Sequence, residues 1–241
     1  MKKEDFINGH TFLVDKPVDW TSFDVVNKLR YSLRNVTGKK KIKVGHAGTL
    51  DPFATGLLII CSGKATKSID LTANREKEYI AEFELGKSTD SQDVTGEILS
   101  EKPVSASVTR EAIEEIINTH FMGEIEQIPP MFSAVKVDGK RLYKLARKGE
   151  EVERKSRKIT ILTYEVLQFE APFVTVRIKC SKGTYIRTLA HDLGEKLGCG
   201  AYCKQLQRTK VGEYSLENAF SVEETIQQIL SVATSPTQPL S

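Results

Sequence analysis

The sequence predicts an α+β fold: a mixed, largely antiparallel central sheet flanked by helices, with one basic arm inserted. Two segments show the period-two signature of half-buried strands. In residues 79–85, Tyr79, Ala81, Phe83 and Leu85 alternate with Ile80, Glu82 and Glu84. In residues 173–180, Val174, Val176 and Ile178 alternate with Thr175, Arg177 and Lys179. Two others repeat at helical spacing: Val25, Val26, Leu29 and Leu33 after Ser22, and Ile186, Leu189, Ala190, Leu193 and Leu197 after Thr184. Strand and helix segments are intermixed without a strict β-α rhythm, which points to the α+β class.

In chain order, residues 11–15 read as a short strand before a Lys16-Pro17 turn, and Ser22 caps the first long helix. Residues 57–61 (Leu-Leu-Ile-Ile-Cys) form an apolar run bounded by glycines, the mark of a buried strand. A short helix is expected over 65–73, then the strand over 79–85 and a polar, turn-rich stretch over 86–96. Residues 109–119 are helical, with Ile113, Ile116 and Ile117 inward and Glu111 favourable near the N-terminal end. Gln127-Ile128-Pro129-Pro130 interrupts regular structure. Residues 133–137, the Asp138-Gly139 pair and the stretch from Leu142 then predict a strand, a turn and a basic helix. Residues 159–169 and 173–180 are two strands joined at Glu170-Ala171-Pro172. Thr184 caps the next helix, a short strand covers 206–211, and a helix covers 222–230 before a loose tail over 233–241.

A length of 241 residues suits one large domain, or one with an appendage. No internal repeat is visible. No apolar run approaches a membrane span, and Met-Lys-Lys-Glu-Asp leads into no apolar core of a secretory signal. Four cysteines are few for a disulfide scaffold and suit a reduced cytoplasmic protein. Cys199 and Cys203 lie four apart, but no second Cys or His pair follows, so simple packing is preferred over zinc. The net charge of +3 decides little, whereas its distribution is informative. Lys39, Lys40, Lys41 and Lys43 cluster together, and between Lys136 and Lys158 ten Lys or Arg face four acids. Such clusters suit either a phosphate backbone or a solvated surface.

Residues 44–58, Val-Gly-His-Ala-Gly-Thr-Leu-Asp-Pro-Phe-Ala-Thr-Gly-Leu-Leu, concentrate the chemistry. Pro52 restricts the backbone of Asp51, and the flanking glycines permit tight turns. The result is one carboxylate displayed on a stiff bend and anchored by an apolar strand; an isolated Asp-Pro usually just caps a turn, and only the surrounding pattern lowers that reading. Phosphate-binding Gly-rich loops, dinucleotide fingerprints and the Gly-x-Ser-x-Gly elbow are absent, and His10, His46, His120 and His191 are scattered. Residues 182–191 add Tyr185 and Arg187 at the first turn of a helix. A guanidinium donates in a planar fork to a carboxylate, so Arg187 suits either Asp51, whose charged form it would favour, or a structural acid. Tyr79 suits stacking on a base or packing in the core.

Together these segments resemble the tRNA pseudouridine synthase B (TruB) family. The resemblance runs through Phe12-Leu-Val-Asp-Lys-Pro17, Gly45-His-Ala-Gly-Thr-Leu-Asp-Pro52, Ala54-Thr-Gly-Leu57, Gly63-Lys-Ala-Thr-Lys67 and Lys77-Glu-Tyr79. It continues through Thr89-Asp-Ser-Gln-Asp-Val-Thr-Gly96, Gln127-Ile-Pro-Pro-Met-Phe-Ser-Ala-Val-Lys136, residues 183–194 and Leu206-Gln-Arg-Thr-Lys-Val-Gly212, in the family's order. It implies the pseudouridine synthase fold and isomerisation of uridine to pseudouridine at position 55 of the tRNA T-loop. It places the catalytic aspartate at Asp51, the stacking tyrosine at Tyr79 and the aspartate's arginine partner at Arg187. His46, Asp90, Tyr185 and Leu206 fall where the family shapes the pocket of the everted nucleotide. The arm over about 124–152 resembles the element that closes over the RNA.

The resemblance further implies no metal or organic cofactor, since both exchanged bonds lie within one substrate. It implies a cytoplasmic monomer whose partner is the tRNA T-arm, not DNA or a membrane. Residues 1–220 would form the catalytic domain and 221–241 a short C-terminal helix and loose tail, in place of the PUA-type domain many members carry. Weaker, T-arm-centred binding is then expected. Modification of another RNA, guide-directed or not, and a tRNA-folding chaperone role stand as alternatives.

Overall fold

A computed structural model describes residues 2–137 and 139–234. The chain divides into two compact units, Met1–Arg75 with Gln207–Ser241, and Glu76–Leu206. The first unit begins with α1 (Lys3–Asn8), β1 (His10–Lys16), α2 (Ser22–Thr37), β2 (Val44–His46), β3 (Thr55–Ser62), a 3-10 segment (Gly63–Ser68) and α3 (Ile69–Ala73). The second unit holds β4 (Lys77–Leu85), β5 (Lys87–Thr89), β6 (Ile98–Glu101), α4 (Arg110–His120), β7 (Gly123–Gln127), β8 (Lys136–Val137) and β9 (Lys140–Arg141). It continues with α5 (Leu142–Ala146), β10 (Arg157–Glu170), β11 (Phe173–Cys180), α6 (Ile186–Leu197) and the start of β12 (Ala201–Val211). The chain ends in the first unit with β13 (Tyr214–Ser215), β14 (Phe220–Ser221) and α7 (Val222–Thr234).

In the first unit the strand order is β14-β1-β3-β12, with β2 on β3 and β13 on β12. β1 and β3 pair antiparallel over their whole length, from His10 with Ser62 to Lys16 with Gly56. β1–β14 and β3–β12 are parallel pairs, the latter joining Gln207 to Thr55 and Arg208 to Gly56. Leu57, Ile59 and Cys61 of β3 pack with Ala47 and Val211 in one buried cluster. α2 buries Val25, Val26, Leu29, Leu33 and Val36 and is packed by α1, β2 and α7. Thr21, not Ser22, caps this helix: its side chain accepts from the Asp24 N–H, and Asp24 reaches back in a capping box. Ser22 is drawn instead into the Asp51 loop, as described below.

In the second unit the order is β12-β4-β11-β10-β7, with β4–β11, β11–β10 and β10–β7 antiparallel. The alternation over 79–85 appears as a strict alternation of buried and half-buried residues along β4. Val174, Val176 and Ile178 of β11 are fully buried, as are Ile113 of α4 and Leu189, Ala190 and Leu193 of α6. The Val, Ile and Leu side chains among these each contribute about 1.5–3 kcal/mol relative to exposure. The strand near 206–211 is longer than expected and begins at Ala201. The polar stretch over 86–96 contains a strand, β5, which forms a two-stranded ribbon with β6. Thr184 does not cap α6: its hydroxyl donates to the Ser181 carbonyl at 3.0 Å, and Tyr185 occupies the cap position. The β8–β9 hairpin and α5 form the basic arm; Asp138 of its expected turn, and residues 235–241 of the expected tail, lie outside the described residues. All four cysteines are free and buried.

Candidate active site

Several backbone carbonyls of the Asp51 loop are gripped by buried side chains. Arg208, 1% exposed, donates from Nε to the Leu57 carbonyl at 2.9 Å, from Nη2 to Gly48 at 3.1 Å and from Nη1 to Thr49 at 3.4 Å. Lys16, fully buried at the end of β1, donates from Nζ to the carbonyls of Pro17 (2.8 Å), Trp20 (2.6 Å) and Pro52 (3.2 Å). Ser22 closes a third side, donating to the Leu50 carbonyl and accepting the Leu50 N–H at 2.8 Å. Asp19 N–H donates to the Pro52 carbonyl, and Ala54 N–H to that of Asp51. Two buried cations and a buried hydroxyl therefore grip the turn that carries the half-buried Asp51. Gly56, at φ +98°, is required where β3 meets Arg208, because a Cβ there would collide with the Arg208 backbone.

The electrostatics follow from this packing. Burial pushes the Lys16 ammonium down to about 8 from an ordinary 10.5, with the negative charge of Asp51 opposing the fall. His46, half-buried at the end of β2, has its pKa lowered by burial and then by the Arg208 charge, while the Gly48 backbone opposes. Its ring is thus neutral at pH 7.

The second unit carries the other named residues. Arg187, 3% exposed on the first turn of α6, makes an ion pair with buried Asp93 at 3.0 Å. Its guanidinium also donates to the Ser91 and Phe132 carbonyls, each at 2.8 Å. Asp93 in turn accepts from the Ser91 hydroxyl (2.8 Å) and from the Thr95 N–H (2.9 Å) and hydroxyl (2.6 Å). Asp93 is thus a structural acid for Arg187 that sequence reasoning did not single out. Asp90, in the same loop, is exposed and accepts from the Glu97 N–H at 2.9 Å. Gln92, at φ +63°, fastens the loop: its side chain accepts from Thr188 at 2.8 Å and its carbonyl from the Cys203 N–H at 3.0 Å.

Tyr185 is positioned from both sides. Buried Gln127 accepts the Tyr185 N–H at 2.8 Å and donates to its carbonyl at 3.0 Å. The Arg157 guanidinium lies 4.7 Å above its ring. Tyr79 on β4 and Leu206 on β12 are both buried. The structure thus places Asp51 and His46 in the first unit, and Tyr79, Asp90, Tyr185, Arg187 and Leu206 in the second. Lys16 and Arg208 were not singled out either, although both lie inside segments that carry the resemblance. Among the described residues no cluster of His, Cys, Asp and Glu could hold a metal ion, and no helix is long and apolar enough to cross a membrane.

The mixed sheet, the helices on it and a carboxylate loop clamped through its carbonyls define the chain's class as a pseudouridine synthase fold. Residues 34–186 match the model of the TruB family pseudouridylate synthase N-terminal domain, and residues 187–239 that of the tRNA pseudouridylate synthase B C-terminal domain. The tRNA pseudouridine synthase B of Parabacteroides distasonis is 53% identical over 220 residues, 91% of this chain and 93% of that protein. That of Flavobacterium johnsoniae is 46% identical, covering 94% of this chain and 100% of the relative. A chain in a solved Cbf5-Nop10-Gar1 complex superposes with a TM-score of 0.69 at 29% identity, covering 94% of this chain and 56% of the other. The chain spans only about half of that structural neighbour. The chain belongs to the TruB family.

Proposed function

We propose that this enzyme isomerises uridine to pseudouridine in tRNA, acting on position 55 of the T-loop, with Asp51 as the nucleophile. The stiffness of the Asp51 loop carries this reading most directly. A uridine stacked in a folded loop is out of reach until it is everted, and eversion takes a few kcal/mol. Binding energy spent on eversion is productive only if the attacking group already stands in position. Carbonyls clamped by Lys16, Arg208 and Ser22 provide that pre-organisation.

Asp51 attacks the nucleoside, at the base or at the anomeric carbon, and the N1–C1′ bond breaks. The uracil turns while held, C5 bonds to C1′, the bond to Asp51 breaks and returns its carboxylate, and the C5 proton leaves as N1 regains one, so no atom is gained or lost. Tyr79 stacks on the base, and Arg187 is the remaining catalytic residue. His46, Asp90, Tyr185 and Leu206 shape the nucleotide pocket. Residues 1–220 act as the catalytic domain, and the basic arm over about 124–152 closes on the RNA. Lys136, Lys140, Arg141, Lys144 and Lys148 of that arm line a shallow concavity suited to phosphates. The enzyme works as a cytoplasmic monomer.

The test is incubation with an unmodified T-arm hairpin and chemical mapping of pseudouridine. Asp51→Asn is expected to abolish turnover while leaving tRNA affinity within about threefold. A variant that still produced pseudouridine would remove Asp51 from the chemistry. Hairpin left unmodified by the parent chain would overturn the T-loop assignment, and retained RNA refolding alone would favour a chaperone.

A further inference from the structure

The outward face of α2 carries large aromatic and cationic side chains exposed to solvent. Phe23, Asn27, Arg30 and Arg34 follow one another at i, i+4, i+7 and i+11, and therefore form one stripe, with Tyr31 beside it. Phe23 is 58% exposed and Tyr31 68%, whereas α1, β2 and α7 pack on the remainder of the helix. Two large exposed aromatics on one helix face mark a contact surface more often than a core fault.

The surrounding charge identifies the partner. Residues 22–43 contain seven cations, Lys28, Arg30, Arg34, Lys39, Lys40, Lys41 and Lys43, against the single acid Asp24. With a whole-chain charge of +3, the remainder of the protein is net negative, so positive charge is concentrated here. Lys39, Lys40, Lys41 and Lys43 are all exposed. Aromatic faces interleaved with cations are the combination that binds bases and phosphates of a nucleic acid.

The face is also pre-organised and tied to the catalytic loop of its own unit. Arg30 lies 5.7 Å over the Phe23 ring, donates to the Asn27 side-chain oxygen at 2.7 Å and to the Val44 carbonyl at 3.0 Å. Ser22, at the start of the same helix, bonds Leu50, next to Asp51. RNA held on α2 would thus be held by the same element that braces the Asp51 turn.

We propose that this face of α2, with the lysines that follow it, is a second RNA-contact surface that takes phosphates and exposed bases of the substrate tRNA outside the T-arm. The proposal rests on the tRNA reading above and extends it beyond the T-arm-centred contact expected from the sequence.

The test compares whole tRNA with an isolated T-arm hairpin, using binding as well as turnover. Phe23→Ala/Tyr31→Ala is expected to weaken whole-tRNA binding about tenfold or more while leaving hairpin affinity and hairpin kcat within about twofold. Arg34→Gln/Lys40→Gln is expected to flatten the log–log salt dependence of whole-tRNA binding by about one to two. Ultraviolet crosslinking of the parent chain to whole tRNA should mark the peptide that holds Phe23 and Tyr31, and this readout needs no folded variant. Unchanged whole-tRNA affinity, an equal loss on the hairpin, or no crosslink in α2 overturns the proposal. So does loss of self-association in sedimentation, which would assign the face to a second copy. Binding and crosslinking read the contact even if turnover fails, so failure of the isomerase reading stays distinguishable.

Discussion

Replacing Arg208 with Met tests whether the Asp51 turn is held by its carbonyl clamp. Met keeps most of the side-chain volume, so the cavity contribution is small. What is lost is the set of donors to Leu57, Gly48 and Thr49 at 2.9, 3.1 and 3.4 Å. The first two are full hydrogen bonds from a charged group, about 1.5–3 kcal/mol each, and the third is long enough to count little. The gross loss is therefore about 3–6 kcal/mol, offset in part because the variant no longer buries a charge. A net destabilisation near 3 kcal/mol corresponds to a fall in Tm of about 6–12 °C for a chain of this size. Turnover should fall further than stability explains, by about a hundredfold at a temperature where the variant is folded, since a displaced nucleophile loses its pre-organisation. Whole-tRNA affinity should stay within about threefold. Differential scanning calorimetry, single-turnover kinetics and filter binding measure these three quantities. A folded variant with parental Tm and parental single-turnover rate would refute the clamp.

Asp93→Asn should remove the charge of one hydrogen-bonded partner of buried Arg187, lowering stability by about 1.5–3 kcal/mol in urea unfolding. Turnover should fall as pH rises through about 8, where Lys16 loses its proton and one of its three donors, and Lys16→Arg should move that limb above about pH 10. The stability linkage has the opposite sign: between about 8 and 10.4 the unfolded chain binds more protons at this lysine, so rising pH favours the fold. Superimposable pH profiles for parent and variant would remove Lys16 from the alkaline limb. Gly56→Ala should destabilise by about 3 kcal/mol or more through both its φ of +98° and a clash with Arg208. Gly38→Ala, at φ +68° with open space around it, should cost only about 1 kcal/mol by thermal melting. Activity on the T-arm hairpin should survive a metal chelator, as pseudouridine mapping in its presence would report.

Much of the fold could be read because local periodicity and burial agree. β4, β11, α2, α4 and α6 each repeat at the period of their element, and the observed burial follows that repeat. Misreadings cluster where a partner distant in sequence supplies the deciding bond. Ser22 looks like a cap, but Leu50, 28 residues away, takes its hydroxyl, and Thr21 caps instead. Thr184 looks like a cap, but Gln127, 58 residues before Tyr185, receives the Tyr185 N–H at the start of the helix. β6 and β7 show no clear alternation, being edge or ribbon strands with mostly exposed residues. In the candidate site, Asp51 stood out because a carboxylate between glycines and a proline is locally unusual. Lys16, Asp93 and Arg208 did not, because a buried charge cannot be told from a solvated one without knowing the carbonyls and partners around it.

The burial of all four thiols turns them into reporters of breathing. Burial lifts the Cys180 thiol to about 11, so both access and ionisation resist an alkylating reagent while the chain is closed. Cys203 is the most telling position, since its N–H and carbonyl are bonded to Gln92 and Val94 of the segment that holds Asp90 and Asp93. Its alkylation rate would report opening where that segment meets β12. Slowing of that clock when tRNA is added would reveal coupling between substrate capture and local order, and a cysteine newly placed on the surface could be dyed without first deleting the native ones.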